Sequence, residues 1–155
     1  MEKEVLREIN QYLVKIFNEV LMLEEEALKE STFTDVTIRE LHTIEAIGLS
    51  GETTSSQVAE RLNITLSTVS IAVQNLVKKD YVDRVQSTKD RRVIALKLTK
   101  KGKLLYRLHA KFHLQMVERI LTDMNEDETQ ALIKGLRNLD DFLNEIRLNP
   151  NQKEG

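Results

Sequence analysis

Apolar residues in this chain recur mostly at helical spacing, and two short stretches alternate instead. Over residues 4–29, Val5, Ile9, Leu13, Ile16, Phe17, Val20, Leu21 and Leu28 return every three or four positions. That spacing predicts one long amphipathic helix. The small polar run "STFTD" at 31–35 ends it, and Leu41, Ile44 and Ile47 predict a second helix over about 37–47. After the loop "GLSGETT" at 48–54, Thr54 and Gln57 have the spacing of a capping box that opens a short helix over 55–62. Asn63 suits the left-handed conformation of a tight turn, and Thr65 is a good N-cap for a helix running to about Lys79. Residues 81–87 and 92–99 alternate apolar and polar side chains and are rich in β-branched residues, which predicts a hairpin around the charged turn "STKDR". A long helix follows over 100–122, with Leu104, Leu105, Leu108, Phe112, Met116 and Ile120 in register. Asn125 and Glu128 form another capping box, opening a last helix over 126–147. Residues 148–155, with the only proline at 150, read as a tail.

Short helix, tight turn, longer helix and hairpin make a winged helix-turn-helix over 37–99. The expected fold is mainly α with a small β-hairpin wing, in one domain over 1–155. Long helices at 1–35 and 100–147 flank the winged unit. They are longer than so small a module needs, which points to pairing with a second copy of the chain.

Composition narrows the chemistry. The chain has no Cys, so disulfides and thiolate chemistry are excluded. Its N-terminus is charged and lacks the apolar stretch of a signal peptide, and no apolar run could span a bilayer. A cytoplasmic protein with no membrane partner is expected. There is no Gly-rich phosphate loop and no nucleophile motif, and the pair Asp140 and Asp141 falls on an exposed helix face, so an enzyme is not expected.

Net charge is −2, yet residues 78–111 hold twelve Lys/Arg against three Asp, a local +9 that leaves −11 elsewhere. A basic segment in an acidic chain is the footprint of a polyanion-binding face. On a helical wheel of 66–79, Val69, Ala72, Val73 and Leu76 form the inward stripe. Ser67, Ser70, Ile71, Gln74 and Lys78 face outward, with Thr68 and Asn75 on the flank. Short hydroxyl side chains near a helix N-terminus, beginning with Thr65, let a backbone approach DNA closely. Ile71 can pack on a thymine methyl, and Gln74 can pair with adenine in a major groove. In the hairpin, Arg84, Lys89, Arg91 and Arg92 suit a minor groove, where the negative potential is high. Asp90 is expected to hold a wing arginine in place.

The stretch "DRRVIALKLTKKG" at 90–102 resembles the Asp-x-Arg … Leu-Thr-x-x-Gly pattern of the MarR family of winged-helix regulators, through Asp90, Arg92, Leu98, Thr99 and Gly102. "SSQVAERLNITLSTVSIAVQNLVKKDYV" is similar to the family's helix-turn-helix, with Asn63 where many members carry Gly. The likeness covers about residues 5–147. It implies a homodimer on pseudo-palindromic double-stranded DNA, with Arg92 in the minor groove and Asp90 as its partner. Within the family, "LHTIEAIG", "TLSTVS", "DRRVIALKLTKKGKLLYRLHAKFHLQMVERI" and "KGLRNLDDFL" resemble the repressors of fatty-acid-synthesis genes. That likeness implies a long-chain acyl-acyl carrier protein as corepressor, strengthening operator binding.

An acyl chain needs a dry apolar tunnel. Phe17, Val20, Leu21, Phe33, Leu41, Ile44, Ile47, Leu105, Leu108 and Phe112 are candidates to line one. Acyl carrier protein is acidic, so Lys97, Lys101, Lys103, Arg107 and Lys111 are candidate docking cations. Two alternatives stay open: a regulator of another small apolar ligand, and a zinc-responsive repressor. The second rests on "HAKFH" at 109–113, where His109 and His113 stand one helical turn apart. A stable zinc site needs three or four ligands. His42 is the candidate third, with Glu24, Glu40 or Glu45 as a fourth. Otherwise the pair is expected to be partly exposed polar surface, an effector-pocket group or a protonation switch.

Overall fold

The computed structural model describes residues 2–149. Eight elements follow in order: α1 (Glu2–Glu30), α2 (Ile38–Ile47), α3 (Ser55–Leu62), α4 (Leu66–Lys78), β1 (Val82–Gln86), β2 (Ile94–Leu98), α5 (Lys100–Ile120) and α6 (Glu126–Leu148). The mainly helical class with one antiparallel hairpin is as the pattern predicts. The strands are shorter than expected at both ends. The last helix takes in Leu148, which the pattern assigned to the tail, and residues 150–155 lie outside the described residues. No described helix is long and apolar enough to cross a membrane.

The chain divides into two compact units, residues 1–110 and 111–155. In the first unit, α2, α3, α4 and the hairpin close on a core that includes Ile44, Ile47, Val58, Val69, Val73, Leu76, Tyr81, Leu96 and Leu105. The helices α2, α3 and α4 each begin where a cap satisfies orphan amides. The Thr54 hydroxyl accepts from Gln57 N at 3.2 Å, and Oε1 of the Gln57 side-chain amide accepts from Thr54 N at 3.0 Å. Thr37 and Glu40 form the same reciprocal box on α2. Asn63 ends α3 at φ 52°, the left-handed turn expected of it. The hairpin pairs Val82 with Leu98 through Gln86 with Ile94.

One feature of β2 breaks strict alternation: Ala95 and Leu96 are both buried. Thr53, in the α2–α3 loop, bridges to Leu96, and Leu96 N donates to Thr53 O at 2.7 Å. The loop thus covers the strand's outer edge, a long-range pairing that local periodicity does not contain.

Buried Tyr81 ties α4, the wing and the α1–α2 loop together. Its hydroxyl donates to Asp35 Oδ1 at 2.6 Å. Lys101 sits 4.2 Å above its ring and 3.8 Å from Asp35 Oδ2. Lys79, the C-cap of α4, donates to buried Glu40 at 2.8 Å and to Asp35 O at 2.5 Å. Along α1, only Glu24 and Leu28 are buried. In the second unit, α6 opens at the Asn125–Glu128 capping box and buries none of its described residues.

Gly102 lies where any Cβ would collide with the Tyr81 carbonyl. Gly102→Ala should cost about 3 kcal/mol and lower Tm by about 6–12 °C, measurable by thermal melting. The Tyr81 hydrogen bond holds the Asp35 carboxyl below the usual carboxylate range, helped by Lys101. A carboxylate depressed in the folded state adds stability above its unfolded pKa of about 3.9. It loses that contribution as pH falls through the folded value. Asp35→Asn should therefore melt lower than the parent at pH 7, with the gap closing as the pH falls below the unfolded pKa of about 3.9 and through the depressed folded value.

Candidate nucleic-acid interface

The recognition-helix candidates divide on α4 as the wheel predicts. Val69, Ala72, Val73 and Leu76 are buried, whereas Ser67, Ser70, Ile71, Gln74 and Lys78 are exposed. Ile71 is 63% exposed, an apolar side chain held in water where a methyl group could cover it. At the helix start, Thr65 Oγ1 accepts from Thr68 N at 3.2 Å and lies 2.7 Å from Thr68 Oγ1 and 3.1 Å from Ser67 Oγ. The cap therefore gathers three hydroxyls at the positive end of the helix dipole. Ser70 Oγ donates back to Leu66 O, so its lone pairs are left to accept.

At the wing tip, Asp90 and Arg92 are bonded to each other. Asp90 Oδ1 accepts from Arg92 N at 3.0 Å and from Nε at 3.2 Å, while Oδ2 accepts from Nη2 at 3.2 Å. These bonds hold the Asp90 carboxyl below its ordinary range. The Arg92 side chain is still 90% exposed, so its outward edge can meet a partner. Arg84, Lys89 and Arg91 are exposed as well. Gln86 Nε2 donates to Arg91 O, which closes the turn.

The effector candidates are placed differently from the expectation. Phe33, Leu41, Ile44, Ile47 and Leu105 are packed core, and Phe17, Leu21 and Leu108 stand at the surface. Val20 and Phe112 are half-buried. Burial thus divides the ten among interior, half-buried and surface positions. Among the docking cations, Lys97, Arg107 and Lys111 are exposed and Lys103 is half-buried. Lys101 is exposed too, but its ammonium is committed to Asp35, the Tyr81 ring and the Lys79 carbonyl.

The histidines are less exposed than the surface reading expects. His109 is buried, with Nε2 2.9 Å from Glu45 Oε2 and 3.9 Å from buried Glu24 Oε1. His42 Nε2 lies 3.0 Å from Glu24 Oε2, and the two rings are 6.1 Å apart. Two imidazoles and two carboxylates from α1, α2 and α5 therefore converge. Glu40, a candidate fourth ligand, is instead turned to Thr37 N and Lys79. His113 stands one turn further along α5, edge-on to Phe112 at 5.7 Å.

The profile described as MarR family matches residues 34–93. The crystal structure of Streptococcus pneumoniae FabT in complex with DNA is 48% identical, covers 91% of this chain and 99% of that one, and superposes with TM-score 0.80. The chain belongs to the MarR family of winged-helix transcriptional regulators, and FabT is a relative to which it is similar over nearly its whole length. Two further relatives come from Bacillus subtilis (strain 168). The HTH-type transcriptional regulator PchR is 26% identical, over 64% of this chain and 60% of that one. The HTH-type transcriptional repressor MdtR is 26% identical, over 81% and 79%. The match to PchR spans less than two thirds of that relative.

Arg92→Ala should weaken binding to a specific duplex by about 10- to 100-fold and flatten the salt dependence by about one unit per wing. Fluorescence anisotropy over a salt series measures both, and unchanged binding would remove Arg92 from the interface.

Proposed function

We propose that the protein is a homodimeric DNA-binding repressor of fatty-acid-synthesis genes, with long-chain acyl-acyl carrier protein as corepressor. The observation that carries it is the full-length likeness to FabT, whose structure is a complex with DNA. The exposed hydroxyl, Ile71 and Gln74 face of α4 and the bonded Asp90–Arg92 wing support the DNA part. In this reading α4 enters a major groove and Arg92 the adjoining minor groove of each half-site. Exposed apolar residues on α1, among them Ile9, Tyr12, Ile16 and Phe17, support self-association, because a lone chain would leave them in water. The basic residues Lys97, Lys103, Arg107 and Lys111 suit an acidic carrier protein.

A zinc-responsive repressor is the second reading, favoured by the convergence of Glu24, His42 and His109. Imidazole nitrogens and a carboxylate are suitable zinc donors, and an i, i+4 partner such as His113 is the usual way to add a ligand from one helix.

One titration separates the two. A duplex selected from random sequences is titrated with the protein alone, then with carrier protein, long-chain acyl carrier protein or zinc. Acyl carrier protein should tighten binding while the unacylated form does not. No change with the acylated form would refute the corepressor. A zinc response abolished by His42→Ala would establish the second reading in its place.

A further inference from the structure

Glu52, in the α2–α3 loop, reaches across to the wing. Its Oε2 accepts from Ser87 Oγ at 2.8 Å, and its Oε1 accepts from Thr88 Oγ1 at 2.6 Å and Thr88 N at 3.3 Å. Ser87 is buried and its hydroxyl is fully used. While donating to Glu52, it accepts from Lys89 N at 3.2 Å and Asp90 N at 3.4 Å. Asp90 in turn grips Arg92 through both carboxylate oxygens. A continuous relay therefore runs from Glu52 through Ser87 and Asp90 to the Arg92 guanidinium.

The near end of the relay is fixed. Thr53, beside Glu52, bonds Leu96 N through its carbonyl and Ile47 O through its hydroxyl. Thr54, the next residue, caps α3. Glu52 is thus mounted on the helix-turn-helix while its carboxylate holds the wing. A negative charge this near a DNA-facing element works against binding through repulsion. Hydrogen bonds from Thr88 and Ser87 hold its carboxyl below the usual range, so the charge persists.

We propose that Glu52 is a positioning residue for DNA recognition: through Ser87 and Asp90 it sets where Arg92 stands relative to α4, and hence the spacing between major-groove and minor-groove contacts. The proposal rests on the DNA-binding reading above.

The test compares Glu52→Gln, Glu52→Ala, Ser87→Ala, Arg92→Ala and the double variant E52Q/R92A. Each is titrated on the selected duplex and on a random duplex, with hydroxyl-radical footprints of the minor groove. Glu52→Gln keeps the shape but places an amide donor among hydroxyl donors. Glu52→Gln and Glu52→Ala should each lose on the order of tenfold affinity for the selected duplex, with random-duplex binding unchanged and the wing footprint gone. Ser87→Ala should reproduce them. The double variant should bind no more weakly than Arg92→Ala alone, because both changes cut one relay. Melting temperatures within about 2 °C of the parent would exclude a folding defect for Glu52→Gln. The idea is overturned if Arg92→Ala weakens binding while both Glu52 variants bind as tightly as the parent, or more tightly to both duplexes, as a merely repulsive charge would. If Arg92→Ala has no effect, the wing reading itself fails, and that result is distinct.

Discussion

At Tyr81, the end of α4, the first strand of the wing and the start of α5 meet within one residue. Its amide donates to Leu76 O, its carbonyl accepts from Thr99 N, and Gly102 is packed against that carbonyl too closely for any side chain. The preceding residue, Asp80, turns the chain at φ 66° and has its carbonyl capped by the Thr99 hydroxyl. The Leu-Thr-x-x-Gly stretch therefore has a local cause. Thr99 supplies two hydrogen bonds to the turn, and the glycine allows the approach. Without that knot, neither the angle between α4 and the wing nor the start of α5 would be fixed.

Two sets of polar contacts hang from this junction. On one side, Lys79 and Lys101 pin the α1–α2 loop to it through Asp35 and Glu40. Glu40 is nearly inaccessible, and its carboxylate oxygens accept from Lys79 Nζ and from the Thr37 amide. On the other side, Glu52 and Thr53 fasten the α2–α3 loop to the hairpin. The helix-turn-helix and the wing are in this way held as one body from both ends of the hairpin.

Much of this was legible from local pattern. Spacing gave the helices, Thr54, Thr65 and Asn125 gave their starts, and Asn63 gave the turn, because each depends on neighbours within four residues. The outward face of α4 and the Asp90–Arg92 contact were readable for the same reason. What escaped depends on residues distant in sequence. Thr53 meets Leu96, Glu52 meets Ser87 and Thr88, and Lys101 meets Asp35 only once the chain has folded. Lys101 looked like one more surface cation, and nothing in its neighbours reveals an aromatic ring from residue 81. His109 looked half-exposed for the same reason: its carboxylates come from residues 24 and 45.

Residues 2–23 carry a further consequence. A stretch of α1 this long, with none of its described residues buried, draws little of its stability from the chain it belongs to. In the proposed dimer, ordering of that helix and meeting a second copy would be one equilibrium. Gene dosage would then matter twice, once for how many molecules reach the DNA and once for how many are assembled to do so. A small fall in expression would be amplified into a larger loss of occupancy.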